Sequence, residues 1–147
     1  MAKDTASARS IGSGFLVRSP NDHAVLITAK HVILNDKDSL RRNLAYRLNE
    51  KNGTSYLLTD DELRRIAGEW FLSSSHDVAL RIITFRETSV IAGIPADKLL
   101  RKNRLRPAAP ILIPGFPFGL RSKEHADPIV RNGVVARIDP QHILVDA

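Results

Sequence analysis

Two side chains in this sequence have the types and local settings for proton transfer. His31 ends the run Ile27-Thr28-Ala29-Lys30-His31, directly after an apolar, β-branched stretch that reads as a strand. A strand would fix its backbone and leave the imidazole free at the strand end. Imidazole titrates near neutral pH, so it can take a proton from a hydroxyl and return it to a leaving group. Asp77 opens a second such stretch, Asp77-Val78-Ala79-Leu80. A carboxylate stepping into a buried apolar run needs a donor, and an imidazole N–H would serve while fixing the ring's tautomer. Each residue also has an ordinary structural explanation, His31 as a half-buried histidine and Asp77 as the cap of a turn before a strand. His76 is a rival base, but strand alternation sets it on the face opposite Asp77.

Three short motifs gain specificity from their order: Gly12-Ser13-Gly14-Phe15, then Thr28-Ala29-Lys30-His31, then Asp77-Val78-Ala79-Leu80. The run resembles the trypsin-like serine peptidases, bacterial ones especially, in which a Gly-Ser-Gly-Phe strand leads to a Thr-Ala-x-His catalytic histidine and an Asp-Val-Ala catalytic aspartate. The resemblance implies that His31 is a general base and Asp77 its orienting partner. It also implies a His-Asp-Ser triad, an endopeptidase acting on a polypeptide substrate, and no cofactor. Further on, Gly115-Phe116-Pro117-Phe118-Gly119 is similar to the Gly-x-Pro-x-Gly segment at the start of that family's second barrel. Arg131-Asn132-Gly133-Val134-Val135 and Ile143-Leu144-Val145-Asp146-Ala147 are similar to the strands that follow. The implied fold is a chymotrypsin-like double β-barrel over 1–147. Its first barrel, 11–100, would be complete, 101–110 would be a linker, and 111–147 would begin a partial second barrel. Lys30 stands where the family commonly has alanine.

The family's nucleophile sits in a Gly-x-Ser-Gly-Gly segment after the aspartate, and the backbone N–H groups there form the oxyanion hole. These 147 residues contain no such segment. After Asp77 the serines are Ser89 and Ser122, neither flanked by glycine, and both read as chance surface residues. The expectation is therefore a domain cut before its nucleophile and inactive as written. Its unpaired sheet edge would be open to self-association. The alternative is a non-catalytic module that uses the same fold to hold a peptide or an acidic partner.

The elements that must position these residues are mostly short strands. Ile11–Val17 and Val25–Thr28, separated by Ser19-Pro20-Asn21-Asp22, read as a β-hairpin. Leu44–Leu48 and Ser55–Leu58 make a second across Asn52-Gly53, a dipeptide suited to positive φ. Thr59-Asp60-Asp61-Glu62 has capping-box spacing ahead of a stripe at Leu63, Ile66 and Ala67. Val78–Thr84 returns to strand composition, and Ile94-Pro95 to Leu100 reads as a short helix with proline in its first turn. Four of the six residues from Arg101 to Arg106 are basic, marking the linker ahead of strands at Ile111–Ile113, Ile129–Ile138 and Ile143–Val145. Many short strands and few helices indicate an all-β barrel or sandwich with short helices.

The totals exclude more than they select. With no cysteine, a disulfide framework, a thiolate metal site and a cysteine nucleophile are ruled out. His23, His125 and His142 have no paired ligand spacing, so no metal site is expected. The formal charge of +6 is spread along the chain, and the basic run lacks the interleaved aromatics of a nucleic-acid binder. Nucleic acid is therefore not an expected partner. No stretch approaches the length of a membrane span, and 1–10 lacks the apolar core of a secretory signal, which points to the cytoplasm.

Overall fold

The computed structural model describes residues 9–18, 24–83, 88–90, 92–116 and 127–147, without the side chains of 65–67. The chain is mostly β, and no closed barrel is formed among the described residues. The first hairpin forms as expected. Strand β1 (Gly14–Arg18) pairs antiparallel with β2 (Ala24–Thr28), with Phe15 opposite Ile27. The Ser19–Asp22 turn lies outside the described residues. Helix α1 (Lys30–Ile33), a single turn, follows β2 directly.

The second hairpin joins β3 (Ala45–Asn49) to β4 (Ser55–Thr59). Gly53 between them takes φ 84°, the left-handed conformation that glycine adopts without a steric penalty. Helix α2 (Asp60–Ala67) starts at the capping box. Thr59 Oγ1 accepts from the Glu62 N–H at 3.3 Å, and the Glu62 carboxylate accepts from the Thr59 N–H at 2.8 Å. These reciprocal bonds satisfy two donors that helix geometry leaves open. Of the expected helical stripe, Leu63 is fully buried, while the side chains of Ile66 and Ala67 lie outside the described residues.

Next come β5 (Phe71–Leu72), β6 (Ala79–Ile83) and β7 (Ile94–Pro95). They complete a five-stranded sheet of order β5-β6-β2-β1-β7, antiparallel except for the β1–β7 pair. The helix expected over Ile94–Leu100 is not formed. Ile94 and Pro95 pair with Val17 and Arg18 instead, and only a 3₁₀ turn at Ala96–Lys98 follows. Proline supplies no N–H, so it fits an edge strand as readily as a first helical turn.

The core explains this arrangement. In β6, Ala79, Arg81 and Ile83 are buried on one face. Ile83 joins Ala24, Leu26, Leu58 and Leu63 in one cluster. Ala79 joins Ile33 and Leu44 in another, and Tyr46 and Trp70 pack against both clusters. A fully buried Ile or Leu side chain contributes roughly 1.5–3 kcal/mol by leaving water, so these contacts set how β6 and α1 meet.

Arg81 occupies an otherwise apolar core position at 1% exposure. Its guanidinium donates to Asp60 Oδ1 at 2.8 Å and to the Gly68 carbonyl at 2.9 Å. It also lies 5.7 Å from the centre of the Trp70 ring. Tyr46 Oη and Trp70 Nε1 donate to the same Asp60 oxygen, and Arg64 donates to the other. A buried charge is tolerable only when paired and hydrogen-bonded in this way.

Strands β8 (Pro110–Gly115), β9 (Ile129–Ile138) and β10 (Ile143–Asp146) form a separate antiparallel sheet of order β10-β9-β8. The basic run between the two sheets is more than a solvated tether. It forms a 3₁₀ turn at Lys102–Arg104, and the Lys102 ammonium donates to the carbonyls of Asp139 and Pro140 at the β9–β10 connection.

Candidate functional site

His31 and Asp77 are 46 residues apart in sequence and in direct contact. His31 Nδ1 lies 2.6 Å from Asp77 Oδ2, and the His31 backbone N–H donates to Asp77 Oδ1 at 3.1 Å. Each carboxylate oxygen therefore engages a different group of the same residue, which fixes both the ring and its backbone. The other ring nitrogen, Nε2, has no hydrogen-bond partner among the described residues, and 73% of the side chain is exposed. With Nδ1 facing a carboxylate, the neutral ring keeps its proton there and presents the Nε2 lone pair outward.

Packing two residues downstream of each side chain brings the pair together. Ile33 in α1 and Ala79 at the start of β6 are both fully buried in the Leu44 cluster. The core therefore holds the two backbones, while the polar side chains stand at its rim. Glycine contributes at the approach to β1. A Cβ on Gly12 would come within 2.5 Å of Val32 Cγ2, so this part of the Gly-Ser-Gly-Phe motif passes against α1 only because it carries no side chain. A Cβ on Gly14 would meet the Ile27 carbonyl at 3.0 Å.

Two local expectations are corrected. His31 does not sit at a bare strand end but within α1, one residue after its start. Asp77 does not open a buried strand. It lies in a bend before β6, with its side chain 55% exposed. Its partner is the expected imidazole, but exposure removes burial as the reason it needs one. The hydrogen bonds from the His31 ring and the His31 N–H hold the Asp77 carboxyl below the usual carboxylate value.

The bend has its own bonding. The Ser73 N–H donates to the Val78 carbonyl at 3.0 Å, and the His76 N–H donates to Ser73 Oγ at 3.2 Å. The Lys30 ammonium donates to the Ser73 carbonyl at 2.9 Å. The His76 ring engages a neighbour instead, its Nδ1 lying 2.7 Å from Ser75 Oγ. His76 and Asp77 are both outside β6, so strand alternation does not separate them.

Ser89 was expected at the surface, but it is 5% exposed, and its hydroxyl is 2.8 Å from that of Tyr56. It is a buried structural residue, bridged through its backbone to Glu50. Ser122, His23, His125 and the Pro117-Phe118-Gly119 part of the second-barrel segment lie outside the described residues. His142 lies in the β9–β10 connection, where its carbonyl accepts from the Asp139 N–H. Among the described residues, no three His, Cys, Asp or Glu side chains gather as a metal site would require. No helix of the described residues is long and apolar enough to cross a membrane.

No family model matches the chain, and no curated protein or solved structure does.

Sequence reasoning reached His31 and Asp77 through their local motifs but missed two features of their surroundings. Lys30 is noticeable only as a departure from alanine. Arg81 could have been found as a single cation inside an apolar strand, a position that requires a buried anion.

Proposed function

We propose that this chain carries the histidine and aspartate of a serine peptidase triad on a trypsin-like domain. The observation that carries the reading is the Asp77 carboxylate engaging both Nδ1 and the backbone N–H of His31, with Nε2 left open. In this role Nε2 takes the proton of a serine hydroxyl as it attacks a peptide carbonyl, then returns it to the departing amine. Asp77 holds the Nδ1–H tautomer and stabilises the imidazolium that forms in between. The serine and its oxyanion hole are not among these 147 residues, so the reading assigns them to polypeptide outside this sequence. On this reading β1 to β7 belong to a first barrel, and β8 to β10 begin a second.

The test is a serine-directed fluorophosphonate probe applied to the complete gene product, alongside peptide hydrolysis by the same protein and its His31→Ala variant. The reading expects labelling and turnover in the parent and loss of both in the variant. Undiminished turnover without His31 would sink it. A second reading is a non-catalytic peptide-binding module on the same fold. A complete product that binds peptide but never takes the probe would select it.

A further inference from the structure

We infer that Lys30 is a positioning residue whose ammonium straps the loop bearing Asp77 to the turn bearing His31. The inference rests on the triad reading and adds to it the residue that keeps the pair in register. Asp77 is more than half exposed, so no packing encloses its carboxylate. Its backbone is anchored to the sheet at both ends of the bend, through buried Ala79 on one side and through the pairing of Leu72 with Ala79 on the other, and neither anchor reaches α1.

Between these anchors the chain from Ser73 to Asp77 runs through a bend in which three bonds meet at Ser73. The Ser73 N–H reaches across to Val78, Ser73 Oγ receives the His76 N–H, and the Ser73 carbonyl receives the Lys30 ammonium. Of these three bonds, only the one from Lys30 ties the bend to α1. Lys30 immediately precedes His31, so the strap fixes Ser73 relative to the residue that Asp77 must meet. The Lys30 bond spans 43 residues of sequence and is partly buried, a setting in which a charged donor outperforms a neutral one. An alanine methyl at this position could neither reach nor donate.

The measurement is the tautomer ratio of the neutral His31 ring, read from ring nitrogen chemical shifts of this chain by NMR. The wild type is expected to hold the proton mainly on Nδ1. Lys30→Met keeps most of the stem without the donor, and it should lower the ratio of Nδ1–H to Nε2–H about fivefold, the scale of one lost hydrogen bond. Lys30→Arg retains a charged donor and should restore the ratio. A Lys30→Met ratio within about twofold of wild type, with the amide spectrum still that of the folded chain, overturns the strap and leaves the triad reading standing. A wild type with no Nδ1–H preference overturns both. If Lys30→Met does not fold, the ammonium signal of Lys30 in the wild type decides. A slowly exchanging, hydrogen-bonded signal supports the strap, and a freely averaging one overturns it.

Discussion

At the scale of single residues, the His31–Asp77 contact makes two outcomes specific. Asp77→Asn in the complete protein would keep the shape of the pair, but its amide N–H would favour the tautomer with the proton on Nε2. On the proposed triad reading, peptide turnover should then fall on the order of 10⁴-fold, the loss expected when a triad histidine is held in the wrong tautomer. Steady-state kinetics would show it, and a loss smaller than about tenfold would remove Asp77 from the orienting role. The second outcome concerns acid. Because bonding to His31 depresses the Asp77 carboxyl below its ordinary 3.8, the contact favours the folded chain above that value and is released as pH falls through the lower, folded one. An NMR titration of the Asp77 carboxyl carbon should therefore have its midpoint below 3.8, and His31→Ala should move it upward.

At the scale of elements, the Asp60–Arg81 pair fastens the start of α2 to the middle of β6. Burial alone would raise the Asp60 pKa. The hydrogen bonds from Tyr46 and Trp70 and the charges of Arg81 and Arg64 outweigh it, holding the carboxyl below the usual range. Burial and the bond to Asp60 push the Tyr46 hydroxyl well up. Arg81→Met removes one partner of a buried pair and should cost about 3–5 kcal/mol, read from urea unfolding. Asp60→Leu combined with Arg81→Met should cost less than the sum of the two single changes, because neither charge is then stranded. Additivity would show that the pair is not coupled. The same element contains the Thr59–Glu62 box, where Thr59→Ala should cost about 1 kcal/mol by the same measurement.

At the scale of the whole molecule, the two sheets differ in how much they bury. The five-stranded sheet packs β3, β4 and α2 against one face. The three-stranded sheet leaves Leu112, Val130, Leu144 and Val145 exposed, and all four residues of β10 face solvent. Among the described residues, β10 is hydrogen-bonded in this sheet only to β9. An edge strand of that kind is a template for pairing with another copy. The isolated chain should therefore self-associate with rising concentration, more strongly in salt that screens its +6 charge. Val145→Lys should suppress this in sedimentation velocity by placing a charge on the edge. A chain that stays monomeric at high concentration and high salt would show the edge to be inert.

What the sequence determined by itself was whatever depends on neighbours along the chain. Both hairpins, the Thr59–Glu62 capping box and the strands expected at 78–84, 111–113, 129–138 and 143–145, which form at 79–83, 110–115, 129–138 and 143–146, follow from alternation, turn residues and caps, which act over a few residues. His31 and Asp77 were legible because their flanking motifs are local. Ile94-Pro95 was misread because a proline suits a first helical turn and an edge strand equally, and only pairing with β1 chooses between them. Ser89 was misread because a serine carries no local mark of burial, and its burial depends on Tyr56, 33 residues away. The tertiary structure alone decided the distances that carry chemistry. The 2.6 Å between His31 and Asp77, the Lys30 bond to Ser73 and the Arg81–Asp60 pair all join residues more than 20 positions apart. Such contacts arise where Ile33, Leu44 and Ala79 leave water together, a collective choice that no short window of sequence contains.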